Sequence, residues 1–150
     1  MTVDKNKAMA VRFFEALDTG NIPILETIFT EDCVFHRGDL IEPARGLSGI
    51  TSIVDKRVQL YRDFRSTIHQ IIGDGDLVAT RETHEGIHRG QLPTPIGIFD
   101  VTGRPIEWVS QVFFRFKEGK IAEMWVARDE LGILRSLGII LEARQSSVIT

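Results

Sequence analysis

Apolar residues in the N-terminal part of the chain recur at the spacing of amphipathic helices. The first helix ends at Gly20, a short second helix starts at the N-cap Asn21, and a third starts at the N-cap Ser48. Their apolar faces comprise Ala10, Phe13, Phe14 and Leu17, then Ile24, Leu25, Ile28 and Phe29, and then Ile50, Ile53, Val54, Val58 and Tyr61. Residues 33–37 form a predicted strand between the second and third helices.

After Phe64 the pattern changes to runs of β-branched and aromatic residues, which are typical of strands. Four strands are predicted there, with turns at Gly73-Asp74-Gly75-Asp76, Pro93-Thr94-Pro95, Thr102-Gly103-Arg104-Pro105 and Glu118-Gly119-Lys120. Asp129 then caps a last helix that ends at Gly138. Strands joined by short turns pair antiparallel, and helices near the start of the chain can cover one face of their sheet. We therefore predict an α+β fold in which a curved antiparallel sheet forms a cone, with the N-terminal helices over its concave face.

Composition and charge narrow the possible functions. The 150 residues are 43% hydrophobic and 26% charged, which indicates one globular domain over residues 1–150, and residues 142–150 are expected to form a disordered tail. The net charge is -3 and Lys and Arg are not clustered, so nucleic acid is not an expected partner. Without a signal-peptide core or a membrane span, the chain is expected to be soluble and cytoplasmic. Cys33, the single cysteine, is expected to be a core residue of a reducing compartment.

Several segments carry a family resemblance over nearly the whole chain. They are residues 11–17 with Thr19-Gly20-Asn21, then Phe29-Thr30-Glu31-Asp32, Gly46, Gly75-Asp76-Leu77-Val78-Ala79, and Lys120-Ile121-Ala122-Glu123-Met124-Trp125 through to residues 129–138. Together and in this order, they resemble the SnoaL-like polyketide cyclases.

The resemblance implies the cone of the nuclear-transport-factor-like and ketosteroid-isomerase-like superfamily, which includes ester cyclases, isomerases, epoxide hydrolases, dehydratases and non-catalytic binding modules. It also implies a homodimer through the open face of the sheet, which would carry Trp125. The family's cyclases are similar in placing a catalytic Asp on the last strand and a pocket His on the strand before it. Val126 and Val112 occupy those positions here, so the chain departs from the pattern that the cyclase aldol mechanism requires.

The family register and the alternation of side chains along a strand place Glu82, His84, Gly86 and His88 on the inward face. Residues two apart on a strand have Cβ atoms about 6.5 to 7 Å apart, so Glu82 and His84 can share a hydrogen bond directly or through water. We predict a proton-transfer pair in which His84 is the general acid or base and Glu82 orients and tunes it. If the register is shifted by one residue, both side chains face solvent or a dimer partner instead.

Arg37, and with it His36, ends the first predicted strand, where the family's epoxide hydrolases look similar in placing polar residues. Arg37 can stabilise an oxyanion or bind a substrate carboxylate, or it can pair with Asp39 or Glu42 at the surface. The predicted substrate-binding residues are Phe35, His88, Trp108, Val112, Phe114, Met124 and Val126. Ordinary core packing is the alternative role for the apolar members of this set.

The sequence His84-Glu85-Gly86-Ile87-His88 matches H-E-x-x-H, which binds zinc when it lies on a helix. The preceding residues alternate at strand period, and Gly86 disfavours a helix. In a strand the two imidazoles would lie roughly 13 Å apart along the chain, too far to share one ion. We therefore predict no metal site.

No nucleotide-binding glycine motif and no Gly-x-Ser-x-Gly elbow is present, so no cofactor is expected. The sequence favours a cofactor-independent enzyme that resembles polyketide cyclases and moves a proton within an apolar pocket, as a cyclase, isomerase, dehydratase or hydrolase. Its ligand would be a small apolar or polyketide-like molecule. The alternative is a non-catalytic ligand-binding or dimerisation module, which the valine at position 126 favours.

Overall fold

The computed structural model describes residues 2–94 and 96–139. The helices in these ranges are α1, Val3–Thr19; α2, Leu25–Ile28; α3, Gly46–Leu60; and α4, Glu130–Ser136. Thr2 caps α1 by accepting a hydrogen bond from the Lys5 amide, and Gly20 ends α1 in the left-handed conformation at φ 71°. Asp129 caps α4 in the same way, through the Gly132 amide.

Six strands form one sheet and two more form a separate hairpin. In chain order they are β1, Phe29–Arg37; β2, Ala44–Arg45; β3, Tyr61–Asp74; β4, Leu77–His88; β5, Gln91–Thr94; β6, Gly97–Asp100; β7, Pro105–Lys117; and β8, Lys120–Arg128. The curved sheet has the order β2-β1-β8-β7-β4-β3, while β5 pairs with β6. All neighbours are antiparallel except β1 and β8, which are parallel.

The main core lies where the helices cover the inner face of the sheet. Phe13 and Phe14 of α1 meet Phe114 of β7 edge to face, with ring centroids 6.3 and 5.9 Å apart. Such pairs stabilise a core beyond the area they bury. Cys33 is buried in the same cluster, and burial raises the pKa of its thiol to about 11.

A second cluster lies at the end of the sheet that carries the β5–β6 hairpin. Tyr61, Phe64 and Trp108 pack there, with Leu92 of β5 and Ile133 of α4 closing over them. The hairpin and the last helix therefore cover this end of the sheet, and Leu17 of α1 also packs against the cluster.

Two β-bulges interrupt the β3–β4 ladder, one between Arg62 and Arg65 and one between Ile68 and Gln70. At the first bulge Asp63 has a positive φ of 53°. Each bulge shifts the pairing by one residue and so changes which side chains face each other across the two strands.

The predicted α+β fold with a curved sheet and helices is confirmed. Several local expectations were wrong: α2 is only four residues long, Phe29 starts β1 instead of ending that helix, and the short strand β2 was not predicted. Pro93 and Thr94, expected in a turn, belong to strand β5. The parallel pairing of β1 with β8 joins segments far apart in sequence, and local periodicity cannot predict such a pairing. No helix in the described ranges is both long and apolar enough to cross a bilayer. The predicted tail, residues 142–150, lies outside the described residues.

Candidate active site

A cavity of about 560 Å³ opens between the helices and the inner face of the sheet. Its volume is within the range of small-molecule pockets, about 300–1,000 Å³. Aromatic and aliphatic side chains supply most of its wall: Phe13, Phe14, Leu17, Phe35, Leu40, Ile53, Leu60, Tyr61, Phe64, Leu92, Pro93, Trp108, Val112, Met124 and Val126. The polar and charged residues of the wall are Arg37, Asp39, Lys56, Arg57, Gln59, His84, Ser110 and Arg128.

Glu82 of β4 is completely buried, at 0% exposure, directly behind this wall. Its Oε1 accepts a hydrogen bond of 2.7 Å from the Thr80 hydroxyl, and its Oε2 accepts one from the Ser110 hydroxyl. A buried carboxylate without such donors would be strongly destabilising. Ser110 itself lines the cavity, so the Glu82 carboxylate is one hydrogen bond away from the ligand space.

His84 lies two residues further along β4, on the same face, and is itself part of the cavity wall. Its Nε2 is 3.4 Å from Glu82 Oε2, and its Nδ1 is 2.8 Å from the Ser66 hydroxyl oxygen. The Phe64 ring stacks on the imidazole with ring centroids 5.6 Å apart, and the Trp108 ring is tilted relative to the imidazole with centroids 5.4 Å apart. The ring is therefore held by a hydrogen bond at Nδ1, by the Glu82 carboxylate near Nε2 and by aromatic rings on its faces.

Ser66 connects His84 to a second carboxylate, Asp18 in the last turn of α1. The Ser66 hydroxyl donates to Asp18 Oδ1 at 2.6 Å, and the Ser66 amide donates to Oδ2 at 3.1 Å. Burial raises the pKa of Asp18, and the hydrogen bonds from Ser66 and the charges of His84 and Arg57 offset this only in part. His84 thus lies between two carboxylates, one in contact and one reached through a serine.

The first bulge of β3 creates this connection. Past the bulge Ser66 pairs directly with His84, whereas an unbroken ladder continued from the Arg62–Ile87 pair would set Arg65 opposite His84. Side chains of directly paired residues lie on the same face of a sheet. The bulge therefore places a small hydroxyl, instead of a guanidinium, beside the imidazole.

Charged residues line another part of the cavity wall. Arg37 donates two hydrogen bonds to Asp39, and Arg128 Nη2 is 3.3 Å from the same carboxylate. Burial opposes ionisation of Asp39, but the Arg37 hydrogen bond and the two arginine charges outweigh it and lower the pKa of Asp39. Arg37 therefore lies in the cavity wall and also makes the pairing with Asp39 considered from the sequence, while Glu42 is not its partner in any described contact.

Five of the seven predicted substrate-binding residues line the cavity: Phe35, Trp108, Val112, Met124 and Val126. The other two do not. Phe114 is fully buried in the main core, beneath the wall, and His88 is 1% exposed beside Tyr61, with ring centroids 4.9 Å apart. Burial and the charge of Arg104 lower the pKa of His88. His88 is thus a core imidazole outside the ligand space.

Val112 of β7 and Val126 of β8 are paired across the ladder, and both reach the cavity. The two positions at which the sequence departs from the cyclase pattern therefore face each other in one apolar patch. His36 belongs elsewhere: its Nε2 is 2.6 Å from Glu123 Oε2, and its ring stacks on Trp125 at 5.7 Å.

The H-E-x-x-H match lies entirely on strand β4, where His84 and His88 are separated by two strand periods. It does not form the helical pair of ligands that a zinc protease uses. Within residues 2–94 and 96–139, no cluster of three or more His, Cys, Asp or Glu side chains is placed to hold a metal ion.

Sequence comparison places this site in a family. The model of the family described as SnoaL-like polyketide cyclase matches residues 8–137, which include every residue of the cavity wall. The chain belongs to the SnoaL-like polyketide cyclase family. A search of the curated proteins found no match.

Several solved structures share the fold. IdmH from Streptomyces antibioticus, described as a candidate polyketide cyclase, is 27% identical, covers 89% of this chain and 99% of its own, and has a TM-score of 0.74. TsrD from Streptomyces laurentii is 19% identical, with a TM-score of 0.80 and coverage of 93% and 99%. A SnoaL-like polyketide cyclase from Agrobacterium tumefaciens is 21% identical, with a TM-score of 0.75 and coverage of 92% and 100%.

Sequence reasoning missed Asp18, Ser66 and Ser110 in this SnoaL-like site. The position of Asp18 could have been noticed, because the helix dipole disfavours a carboxylate in the last turn of a helix. A residue that is locally unfavourable in this way can mark a functional site. Ser110 falls on the inward phase of its strand, which alternation alone could have indicated. No sequence pattern could have indicated Ser66, since the face of β3 on which it lies depends on the bulge.

Proposed function

We propose that this protein is a cofactor-independent enzyme that transfers a proton to or from a small apolar, polyketide-like substrate, with His84 as the general acid or base. The observation that carries the proposal is the imidazole of His84 in the wall of an apolar cavity, 3.4 Å from a fully buried carboxylate. Burying a carboxylate costs free energy, and a catalytic role for the pair accounts for keeping one there.

In this proposal Nε2 of His84 exchanges the proton with the substrate. Glu82, fixed by Thr80 and Ser110, stabilises the imidazolium form when His84 has accepted the proton. The surrounding aromatic rings exclude water, which strengthens this electrostatic effect. The chemistry suits a cyclase, isomerase, dehydratase or hydrolase whose difficult step is a single proton transfer.

Arg37 is the proposed partner for negative charge that develops on the substrate. Its Nε and one Nη donate to Asp39, which leaves other N–H donors of the guanidinium free of that pairing. The pairing with Asp39 therefore fixes the orientation of the Arg37 guanidinium. A substrate oxygen beside Arg37 would then be stabilised by a preorganised donor.

The test is turnover of cyclic ketones, polyketide esters and epoxides by wild type, His84→Gln and His69→Gln. His69 is an exposed histidine on β3 that contacts Thr83, so it controls for the substitution itself. General acid–base catalysis predicts that His84→Gln lowers kcat by about 100-fold or more. Full activity in His84→Gln would overturn the assignment.

A second candidate is a non-catalytic ligand-binding module, which the apolar pairing of Val112 with Val126 favours. Val126→Asp separates the two, with Val126→Asn as the isosteric uncharged control. If the cavity is an altered cyclase site, the carboxylate restores cyclase-type turnover that the amide does not. If His84 and Glu82 carry the reaction, the added charge lowers activity and the binding of apolar ligands.

We further propose a cytoplasmic homodimer formed through the outer face of the sheet. Phe113 and Trp125, paired across β7 and β8, are 54% and 39% exposed there, which is unusual for large aromatic residues. Sedimentation equilibrium giving the mass of one chain would contradict the dimer.

A further inference from the structure

A continuous chain of hydrogen bonds leads from the far side of the cavity wall to the imidazole. Asp18 Oδ1 to Ser66 Oγ is 2.6 Å, and Ser66 Oγ to His84 Nδ1 is 2.8 Å. Neither Asp18 nor Ser66 lines the cavity. Both can therefore act on a ligand only through a neighbouring residue, and His84 is the wall residue that Ser66 contacts.

The directions of these hydrogen bonds follow from the chemistry of the groups. An ionised carboxylate only accepts, so both the Ser66 amide and the Ser66 hydroxyl donate to Asp18. The hydroxyl has a single proton, which this bond uses. The Ser66 oxygen can then only accept from His84, and that requires a proton on Nδ1.

We infer that Asp18 and Ser66 are positioning residues that keep the Nδ1 proton of His84 in place, so that the proton which the site exchanges is the one on Nε2. Nε2 is the nitrogen beside Glu82, whose Oε2 also receives the Ser110 hydroxyl from the cavity wall. The other charged group packed near the ring is Arg57 of α3, whose guanidinium lies 4.6 Å above the Phe64 ring that stacks on His84. It adds a positive charge on the Asp18 side and favours the ionised carboxylate.

The catalytic meaning of this inference rests on the proposed function, in which His84 exchanges a proton with the substrate. The inference assigns that exchange to one nitrogen of the ring. With Nδ1 permanently protonated, Nε2 is the basic atom of the neutral ring and the acidic atom of the charged ring. The reverse arrangement would put the only lone pair of the neutral ring against Ser66, away from Glu82 and Ser110.

The experiment is ¹⁵N NMR of the imidazole nitrogens, which distinguishes protonated from unprotonated nitrogen and needs no substrate. The His84 signals are assigned by their loss in His84→Gln, and the pH is raised until the ring is neutral. We expect Nε2 to lose its proton and Nδ1 to keep it. Loss of the proton from Nδ1 in the wild-type protein overturns the inference, whatever the variants do.

Asp18→Asn is expected to reverse the outcome. The new amide oxygen must accept from the Ser66 N–H, so its NH₂ group faces the Ser66 oxygen and donates to it. The Ser66 hydroxyl is then free to donate to Nδ1, which moves the proton of the neutral ring to Nε2. Asp55→Asn, on the exposed face of α3 where Asp55 pairs with Gln59, is the matched control and should leave the His84 signals unchanged.

Ser66→Ala provides a second variant that does not depend on amide orientation. It removes the acceptor for Nδ1–H, and the neutral ring should shift toward the form with its proton on Nε2, next to Glu82. Wild-type tautomer preference retained in both Asp18→Asn and Ser66→Ala would also overturn the inference.

The catalytic arm of the test uses whichever substrate the wild type converts. Asp18→Asn should lower kcat by about 10-fold or more, with KM little changed, and should displace the pH profile of kcat. If the tautomer reverses in Asp18→Asn while His84→Gln remains fully active, the proposed function fails and the positioning role of Asp18 stands. If His84→Gln is inactive but the tautomer does not respond, the positioning role fails alone.

Discussion

At the scale of single residues, the site depends on two carboxylates that the fold keeps away from water to different degrees. Glu82 has no exposed surface and is fixed by two hydroxyl donors, while Asp18 is half-buried and fixed by both donors of Ser66. Neither carboxylate contacts an arginine or lysine in a described ion pair. His84 is the group that lies near both carboxylates, in contact with Glu82 and linked to Asp18 through Ser66.

Asp18 allows a prediction about stability and pH. Because its pKa is raised above 3.8, the folded state holds the Asp18 proton more tightly than the unfolded chain does. The stability that Asp18 contributes is complete below the unfolded-state pKa and is lost as the pH rises through the folded-state value. Asp18→Asn removes this loss. Its free energy of unfolding at neutral pH should therefore equal or exceed that of the wild type.

Urea unfolding at neutral pH and at about pH 3 measures the difference in free energy of unfolding between Asp18→Asn and the wild type. This difference should shrink at the lower pH, where the wild-type carboxyl is protonated. Asp55→Asn serves again as the control. If Asp18→Asn is clearly less stable at neutral pH than both the wild type and Asp55→Asn, Asp18 is retained for stability instead of function.

At the scale of elements, the end of α1 and the first bulge of β3 bring the site together. Gly20 ends α1 two residues after Asp18 and so fixes where that carboxylate meets Ser66. The bulge at Asp63 fixes Ser66 opposite His84. Bulges of this kind re-aim side chains and are often found beside functional sites.

Gly20→Ala tests the helix end. The residue has φ 71°, and an added Cβ would lie 2.7 Å from Val58 Cγ2, so both backbone strain and a side-chain clash oppose the substitution. We expect a loss of about 1–2 kcal/mol in the free energy of unfolding, measured with urea. Gly38→Ala is the matched control, because Gly38 has open space around its Cα and lacks a positive φ. Equal effects of the two substitutions would contradict the account of the α1 terminus.

At the scale of the whole molecule, the sequence predicted what local pattern determines and missed what distant packing determines. Strand alternation, together with the register of the family resemblance, predicted that Glu82, His84, Gly86 and His88 share one face, and these four are the more buried residues of that part of β4. It could not show that α1 delivers Asp18 to β3, or that a bulge brings Ser66 opposite His84, because both depend on contacts between segments far apart in sequence. For the same reason the parallel pairing of β1 with β8 was not foreseen.

The cavity itself is a property of the whole molecule. Its wall takes residues from α1, α3 and five strands of the main sheet, and β5 of the small hairpin adds Leu92 and Pro93. His84 therefore has a rigid support on every side, which is the condition for an acid–base group that must stay aligned through a reaction.

The most direct test of the central claim is to measure binding and turnover of one converted ligand by wild type and His84→Gln. The account predicts that kcat falls by about 100-fold or more while Kd stays within a few-fold, since His84 moves a proton and the apolar wall supplies the binding. If both quantities are unchanged, or if Kd rises as much as kcat falls, His84 does not act as the proton-transfer group and the central claim is wrong.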